Sequence, residues 1–466
     1  MAHTAVSGKI RARLSDVWRN GFVRNVGVLA GGTAFAQALM VLVLPVLTRL
    51  YSPADFTVLA VYASVLGIFA GIACLRLEIA IPIPETDDEA ANLLALALAS
   101  AAGFGTISGL LVWLFPVELA ALSGQPQFEP YLWLLPFGIW LSGSYAALQF
   151  WATRKKQFAL IAKTRLSQAT GSTGVQVGFG WAGIAPFGLL LGQLINSGAG
   201  VIGLGLKTWR DHRGAITAIR PMRMLATLRQ YDRFPKYSVL EAFANNGGIQ
   251  FPVLIIAALA AGPEAGFLML ATRVMAAPMG LIGGAVSQVY LSRAPEEKRQ
   301  GRLGPFTATV IGGLFKMGVG PLLFAGIVAP VAFPLVFGAE WARAGQIVSW
   351  MTPWFAVQFL ASPVSMTLHV TDNQKAAFSL QITGLLLRVG AVLAAAQFAT
   401  QAIVEIYALS GFVFYAFYLI VVVRLARISV AELNAALRTG WWSIGAWLLI
   451  AANVHLLLSY GQEHWF

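Results

Sequence analysis

Apolar runs of about 20 residues, long enough to cross a hydrocarbon core of ~30 Å, recur along the whole chain. They predict spans at 25–49, 56–81, 91–115, 131–152, 158–181 and 183–206, then a basic stretch from Lys207 to Lys236. Six more spans follow at 237–261, 264–291, 306–335, 346–369, 377–398 and 402–424. Helices apolar on all sides are surrounded by lipid or by other helices, so the pattern predicts an all-α polytopic membrane protein with about 12 core transmembrane helices. The run from about Val26 to Leu47 exceeds the length of a signal h-region and no small-residue cleavage site follows it, so it reads as the first permanent span. Trp441 to Tyr460 is another run of spanning length, with Trp441 and Trp442 placed like an interfacial belt. It reads either as a thirteenth helix or as a segment lying along the interface.

Helix order and spacing repeat after six spans. Tyr51-Ser-Pro53-Ala-Asp-Phe56 joins spans one and two, and Ala261-Gly-Pro263-Glu-Ala-Gly266 joins spans seven and eight. Pro136 in span four and Pro353 in span ten are each followed by an apolar helix and a polar turn, Thr153-Arg-Lys-Lys-Gln157 and Thr371-Asp-Asn-Gln-Lys375. The expected organisation is an N-terminal segment 1–24, a six-helix bundle 25–206, a basic linker 207–236, a second bundle 237–425 and a C-terminal extension 426–466.

Composition narrows the class. Of 466 residues, 58% are hydrophobic and 11% charged, against roughly 25% charged in soluble domains, which excludes a soluble enzyme, a nucleic-acid-binding domain and a disordered scaffold. The net charge of +12 is explained by position. Of the 32 lysines and arginines, 26 fall on the N-terminal segment and alternate connections, and only Arg49 and Arg343 on the opposite set. By the positive-inside rule the N-terminus is cytoplasmic, and the charge carries no argument for a nucleic-acid partner. The lone Cys74 excludes intrachain disulfides and reads as a small apolar residue.

Catalytic signatures are missing. The chain has no G-x-x-x-x-G-K-[ST] loop for nucleotide phosphates, and its five histidines form no metal-binding pair; neither a metal nor a cofactor is expected. The longest external connection, Phe115 to Pro130, holds only Glu118 and Glu129, which suits moving a substrate better than transforming one.

Ionisable groups at membrane depth are therefore the candidates, because each is costly unless it meets a partner or a polar cavity. Arg273, nine residues into span eight, is the first choice: a guanidinium there either grips a phosphate with two parallel hydrogen bonds or forms a structural ion pair with Glu241. Arg388 in span eleven and Lys316 in span nine either line the same cavity or pair between helices. Arg76 and Glu78 point to different sides of a helix and read as interfacial anchors. Glu241, Asn245, Asn246 and Gln250 form a polar patch on span seven, with Gly247 and Gly248. Glu241 and Asn245 share a face. The carboxylate either couples transport to protons or sodium, or the patch serves helix packing through its glycines. Gln37, Gln193 and Gln381 either contact a sugar or join helices. Gly and Pro within spans (Gly31, Gly32, Pro45, Pro252, Pro278, Gly283, Gly284, Pro363) permit the bends transporters use.

Four passages resemble one family. Arg24-Asn25 with Leu44-Pro45-Val-Leu-Thr48-Arg49-Leu-Tyr-Ser-Pro53-Ala-Asp-Phe56, then Leu75-Arg76-Leu77-Glu78-Ile-Ala80-Ile81-Pro82, are similar to the first two helices of the polysaccharide flippases of the multidrug/oligosaccharidyl-lipid/polysaccharide exporter superfamily. Ala271-Thr-Arg273-Val-Met-Ala-Ala-Pro278 with Gly283-Gly284-Ala-Val-Ser-Gln288, and Phe337-Gly338-Ala-Glu-Trp341-Ala-Arg-Ala344-Gly345, resemble their eighth helix and the turn before their tenth. The resemblance implies two six-helix bundles around a central cavity opening alternately to each side of the bacterial inner membrane. It implies undecaprenyl-pyrophosphate-linked oligosaccharide as cargo for O-antigen, capsule or exopolysaccharide synthesis, with a polysaccharide polymerase as a neighbour in the pathway. It also implies a cavity-facing role for Arg273. A thirteenth span departs from the family's even count. Two other readings stand beside it: a multidrug/cation antiporter of the same superfamily, which would need acidic groups in its cavity, and a membrane enzyme acting on lipid-linked glycans.

Overall fold

A computed structural model describes the backbone of residues 21–465 and the side chains of 31–460 except Leu281. Most of the expected segment 1–24 therefore lies outside the described residues. Among them every regular element is a helix. The long ones are α1 (Gly21–Leu42, continued by Leu44–Leu50), α2 (Pro53–Ala70), α3 (Asp87–Leu114), α4 (Leu134–Arg154), α5 (Phe158–Trp181) and α6 (Phe187–Gly198, continued by Gly200–Asp211). The second set is α7 (Val239–Leu259), α8 (Glu264–Pro278, a π turn Met279–Gly283, then Gly284–Arg299), α9 (Leu303–Leu314, a π turn Phe315–Val319, then Gly320–Phe337), α10 (Ala342–Ala361), α11 (Gln374–Phe398) and α12 (Ile403–Leu425), followed by α13 (Trp441–Trp465).

Nine of these are long and apolar enough to cross a membrane, α13 among them. The other four, α4, α5, α8 and α10, have comparable length but carry polar groups, such as Arg165 and Gln168 on α5 and Arg273 on α8. Their lower hydropathy is what helices turned toward a polar interior require.

The chain forms two six-helix bundles. In the first, α3 packs on α4 and α5 packs on α1 and α6; in the second, α9 packs on α10, α7 on α11 and α12 on both α10 and α11. The bundles meet where α2 runs along α7 and α8. Helix α13 packs on α9, with Leu449, Leu456 and Leu457 exposed.

Local sequence explains several boundaries. Ser52 caps α2 in a reciprocal box with Asp55, and Pro53 opens the helix, where its missing N–H costs nothing. The expected second span, 56–81, is shorter in fact. The helix stops at Ala70 and Leu75 and Arg76 take left-handed φ of 52° and 59°. Helical side-chain directions then no longer apply, and Arg76 pairs with Glu78 at 3.4 Å despite their spacing.

The predicted repeat has a backbone counterpart. Lys156 and Asp372, in the two polar turns, both adopt left-handed φ, 55° and 59°. Each turn closes by the same i→i−5 bond, Gln157 N to Ala152 O and Asn373 N to Leu368 O, both 2.8 Å, the Schellman pattern.

Connections rich in Lys and Arg share one face, called the basic face below. There Arg154 donates to Pro84 O at 2.5 Å and to Asp87 Oδ1 at 3.2 Å, and Lys298 bonds Asp372 at 2.8 Å. The stretch 207–236 is not an open linker: α6 carries its start to Asp211, and the short helix Pro221–Gln230 lies on α3. Arg220 N donates to Asn92 Oδ1 at 3.2 Å and Tyr231 OH to Glu89 at 3.1 Å.

The bundles are sealed together at the opposite face. Trp341, fully buried, donates from Nε1 to Thr48 O at 3.1 Å and meets Phe56 edge-on at 4.8 Å. Gly266 N donates to Thr57 Oγ1 at 3.0 Å and Gln125 Nε2 to Ala257 O at 2.9 Å. Arg343 ties α10 to α8 and α12 through Glu264 at 3.0 Å and Glu405 at 2.7 Å.

Candidate functional site

A polar cavity of about 320 Å³ opens inside the first bundle, lined by Thr33, Gln37, Tyr145, Gln149, Arg165, Gln168 and Asn196 among others. Helices α1, α4, α5 and α6 each contribute, because their polar residues recur at helical spacing on the faces turned inward. Arg165 and Gln168, three apart on α5, share such a face. Arg165 Nη1 donates to Thr33 Oγ1 at 2.8 Å, and Tyr145 OH lies 3.4 Å from Thr164 Oγ1. Gln168 Nε2 is buried without a hydrogen-bond partner, an unmet donor of the kind a polar ligand or water satisfies.

Arg273 stands beside this cavity. Its Nη2 donates to Gln193 Oε1 at 3.4 Å, a bond from α8 of the second bundle to α6 of the first. Gln193 and the cavity residue Asn196 are one turn apart on α6. The π turn of α8 closes the same edge, since a Cβ on Gly280 would lie 3.4 Å from Gln37 Oε1. Arg273 is half-buried, and no ion pair links it to Glu241 or to any other carboxylate among the described residues.

Depth places the two arginines in series. Arg165 is seven residues past the start of α5 at the basic face, about 10 Å at 1.5 Å per residue. Arg273 is nine residues past the start of α8 at the opposite face, about 13 Å by the same rise. They therefore bracket the middle of a ~30 Å core.

The second bundle holds a separate, partly open pocket of about 170 Å³, lined by Asn245, Ser362, Gln381, Arg388, Tyr415 and Tyr418 among others. The polar patch of α7 is thus divided. Asn245 faces this pocket, whereas Asn246 and Gln250 pack toward α2. A Cβ on Gly67 would sit 2.9 Å from Gln250 Nε2, and one on Gly71 would collide with Asn246 Nδ2; glycine at those positions leaves room for the two amides against α2. Glu241 is exposed, three residues into α7 at the basic face.

Lys316 is not brought together with the other cations. It sits in the π turn of α9 with its side chain exposed, beside α13, whose Ser443 donates to the Lys316 carbonyl at 3.0 Å. Arg165 was the residue the sequence pattern hid, because it follows Arg154, Lys155, Lys156 and Lys163 and counts with them as a topological charge. Its distance into the span is the signal that separates it from them.

A family model described as "Polysaccharide biosynthesis protein" matches residues 46–346. No curated protein sequence matches the chain. Among solved structures, the chain is similar to the lipid II flippase MurJ in its inward closed conformation, at 13% identity over 93% of this chain and 99% of that one, with a TM-score of 0.69. It is also similar to an inward-facing multidrug resistance MATE family transporter of the MOP superfamily, at 14% identity over 88% and 94% of the chains, with a TM-score of 0.52. A MOP superfamily transporter from Pyrococcus furiosus matches at 13% identity over 87% and 96%, with a TM-score of 0.50. At these identities the likeness is one of fold.

Proposed function

The chain belongs to the polysaccharide biosynthesis protein family, and on that footing we propose that it is a flippase for undecaprenyl-pyrophosphate-linked oligosaccharide, working by alternating access in the bacterial inner membrane with its basic face cytoplasmic. The observation that carries this reading is the pair Arg165 and Arg273, two guanidinium groups without carboxylate partners among the described residues, one lining the polar cavity and the other beside it at membrane depth. Each can grip a phosphate through two parallel hydrogen bonds. In series they offer a diphosphate a path of positive charge through the core, where an unaccompanied anion would be costly. The amides and hydroxyls of Thr33, Gln37, Tyr145, Gln149 and Asn196 suit sugar hydroxyls, and the polyprenyl tail stays in lipid. The bundles divide at the 207–236 stretch, and the product feeds O-antigen, capsule or exopolysaccharide assembly.

Opening would alternate about the seam of α1 and α2 against α7 and α8, with the opposite face sealed in this conformer by Trp341, Thr48, Thr57 and Gly266. A cationic drug as cargo is disfavoured, because no carboxylate is among the lining residues of the first-bundle cavity. The deciding experiment is Arg273→Ala in the native host. Surface polysaccharide should be lost while the protein accumulates normally in the membrane; normal polysaccharide would overturn the assignment.

A further inference from the structure

Among the described residues Arg388 is the one charged group lining the second-bundle pocket, and no counter-ion pairs with it. Its side chain is 2% exposed. Nε donates to Gly384 O at 2.9 Å and the guanidinium lies 4.8 Å from the Phe414 ring centroid. No carboxylate pairs with it among the described residues. Gly248 leaves room for Nη2, which would lie 2.7 Å from a Cβ there. A guanidinium keeps its charge in a protein interior, so it cannot escape desolvation by losing a proton. A carbonyl and an aromatic face moderate that cost without removing the charge.

The remaining lining is a shell of neutral groups able to donate. Ser362 and Ser365, Tyr415 and Tyr418 contribute hydroxyls, and Asn245 and Gln381 contribute amides. Such a shell around one fixed cation is the complement of a small anion of single charge. The volume of about 170 Å³ accommodates an ion with a few waters, each occupying roughly 30 Å³ in the liquid. It leaves no room for a diphosphate with its sugar.

We propose that this pocket is a binding site for a free monovalent inorganic anion, a halide such as chloride, held by Arg388 and distinct from the cargo cavity. The ion neutralises the second bundle's interior and fastens α11 to α7, α12 and the turn that follows α10, which all contribute lining residues. The site stands whether or not the cargo is the one proposed above, and its test uses no transport readout.

The test is thermal unfolding of the purified full-length protein in detergent, with sodium gluconate replaced stepwise by sodium chloride or bromide at constant ionic strength. Wild type should gain stability with halide, rising with the logarithm of its concentration above Kd, because a ligand bound only to the folded state raises the unfolding temperature. Arg388→Gln should lose that dependence. If Arg388→Gln does not fold, Gln381→Leu and Asn245→Leu, which keep the guanidinium, should each raise the halide Kd fitted to that rise about tenfold, the effect of losing one hydrogen bond to a charged group. A halide response that persists in Arg388→Gln, that is unchanged in both pocket variants, or that is absent from wild type would overturn the site. Crystals soaked in bromide should show an anomalous peak beside the Arg388 guanidinium; a map with no peak there would equally overturn it.

Discussion

The amide of Gly266, three residues after Pro263, donates a 3.0 Å hydrogen bond to the hydroxyl of Thr57, four residues after Pro53. The two turns that repeat in the sequence are thus in contact in space, and each belongs to a different bundle. Their approach depends on glycine: a Cβ on Gly266 would collide with Pro53 O and lie 2.9 Å from both Thr57 N and Oγ1.

Gly266→Ala should accordingly open the seal at this face. Overpacking costs of roughly 1–3 kcal/mol shift a two-state equilibrium by about five- to 150-fold. A cysteine at Thr48, buried in this conformer, should react at least several-fold faster with an impermeant maleimide in the Gly266→Ala background than in the parent. Equal rates would show that the contact does not hold the face shut.

Arg165 and Lys316 make a matched pair of tests. Arg165→Ala should reduce export of surface polysaccharide by about ten- to a hundredfold, the effect of losing a charge-assisted hydrogen bond of roughly 1.5–3 kcal/mol, and Arg165→Lys should restore only part of it. Lys316→Ala should leave export unchanged, since that side chain is exposed beside α13. Glycan measured by gel and immunoblot, normalised to protein level, distinguishes the two.

His212 predicts a pH dependence for the connection after α6. Its ring meets Trp151 edge-on at 5.7 Å and its Nε2 is buried without a partner. Burial, reinforced by Lys155, holds its pKa below the ordinary histidine value. A base with a depressed folded-state pKa stabilises the fold above its unfolded pKa of about 6.5, and that contribution is lost as pH falls through the lower folded value. Proteolysis of the 207–236 stretch should rise on acidification from pH 8 to pH 5.5, and His212→Phe should flatten the profile. A wild-type rate independent of pH would contradict this role.

Helix α13 meets the requirements for a membrane span and packs along α9. Thirteen crossings place the two termini on opposite faces. A C-terminal alkaline phosphatase fusion should be active and a green fluorescent protein fusion dark. The reverse result would lay α13 along the interface on the basic face.

The helices were legible because a bilayer imposes a length and an apolar composition that local sequence must satisfy by itself. Span two is shorter than expected: hydropathy continues through Leu77 and Ile81, but the α-helix gives way after Ala70 to turns that include left-handed backbone at Leu75 and Arg76, and hydropathy carries no record of φ.

The site was legible only in part. Arg273 and Arg388 stood out as charges in apolar runs, yet nothing local says that one faces Gln193 across the bundle seam and the other a pocket shared with Asn245. Asn245 and Asn246 are neighbours in sequence but turn to different bundles, since successive helical residues point about 100° apart.

What the sequence determined by itself is therefore the set of membrane helices, their repeat and the gathering of basic residues on one face, all of which follow from the energetics of each segment against lipid and water. Which cation lines the first-bundle cavity, which stands beside it, which is buried in the second bundle's pocket and which is left exposed was decided by tertiary structure. Those outcomes depend on the rotation of each helix about its axis, which is fixed by contacts with residues a hundred or more positions away.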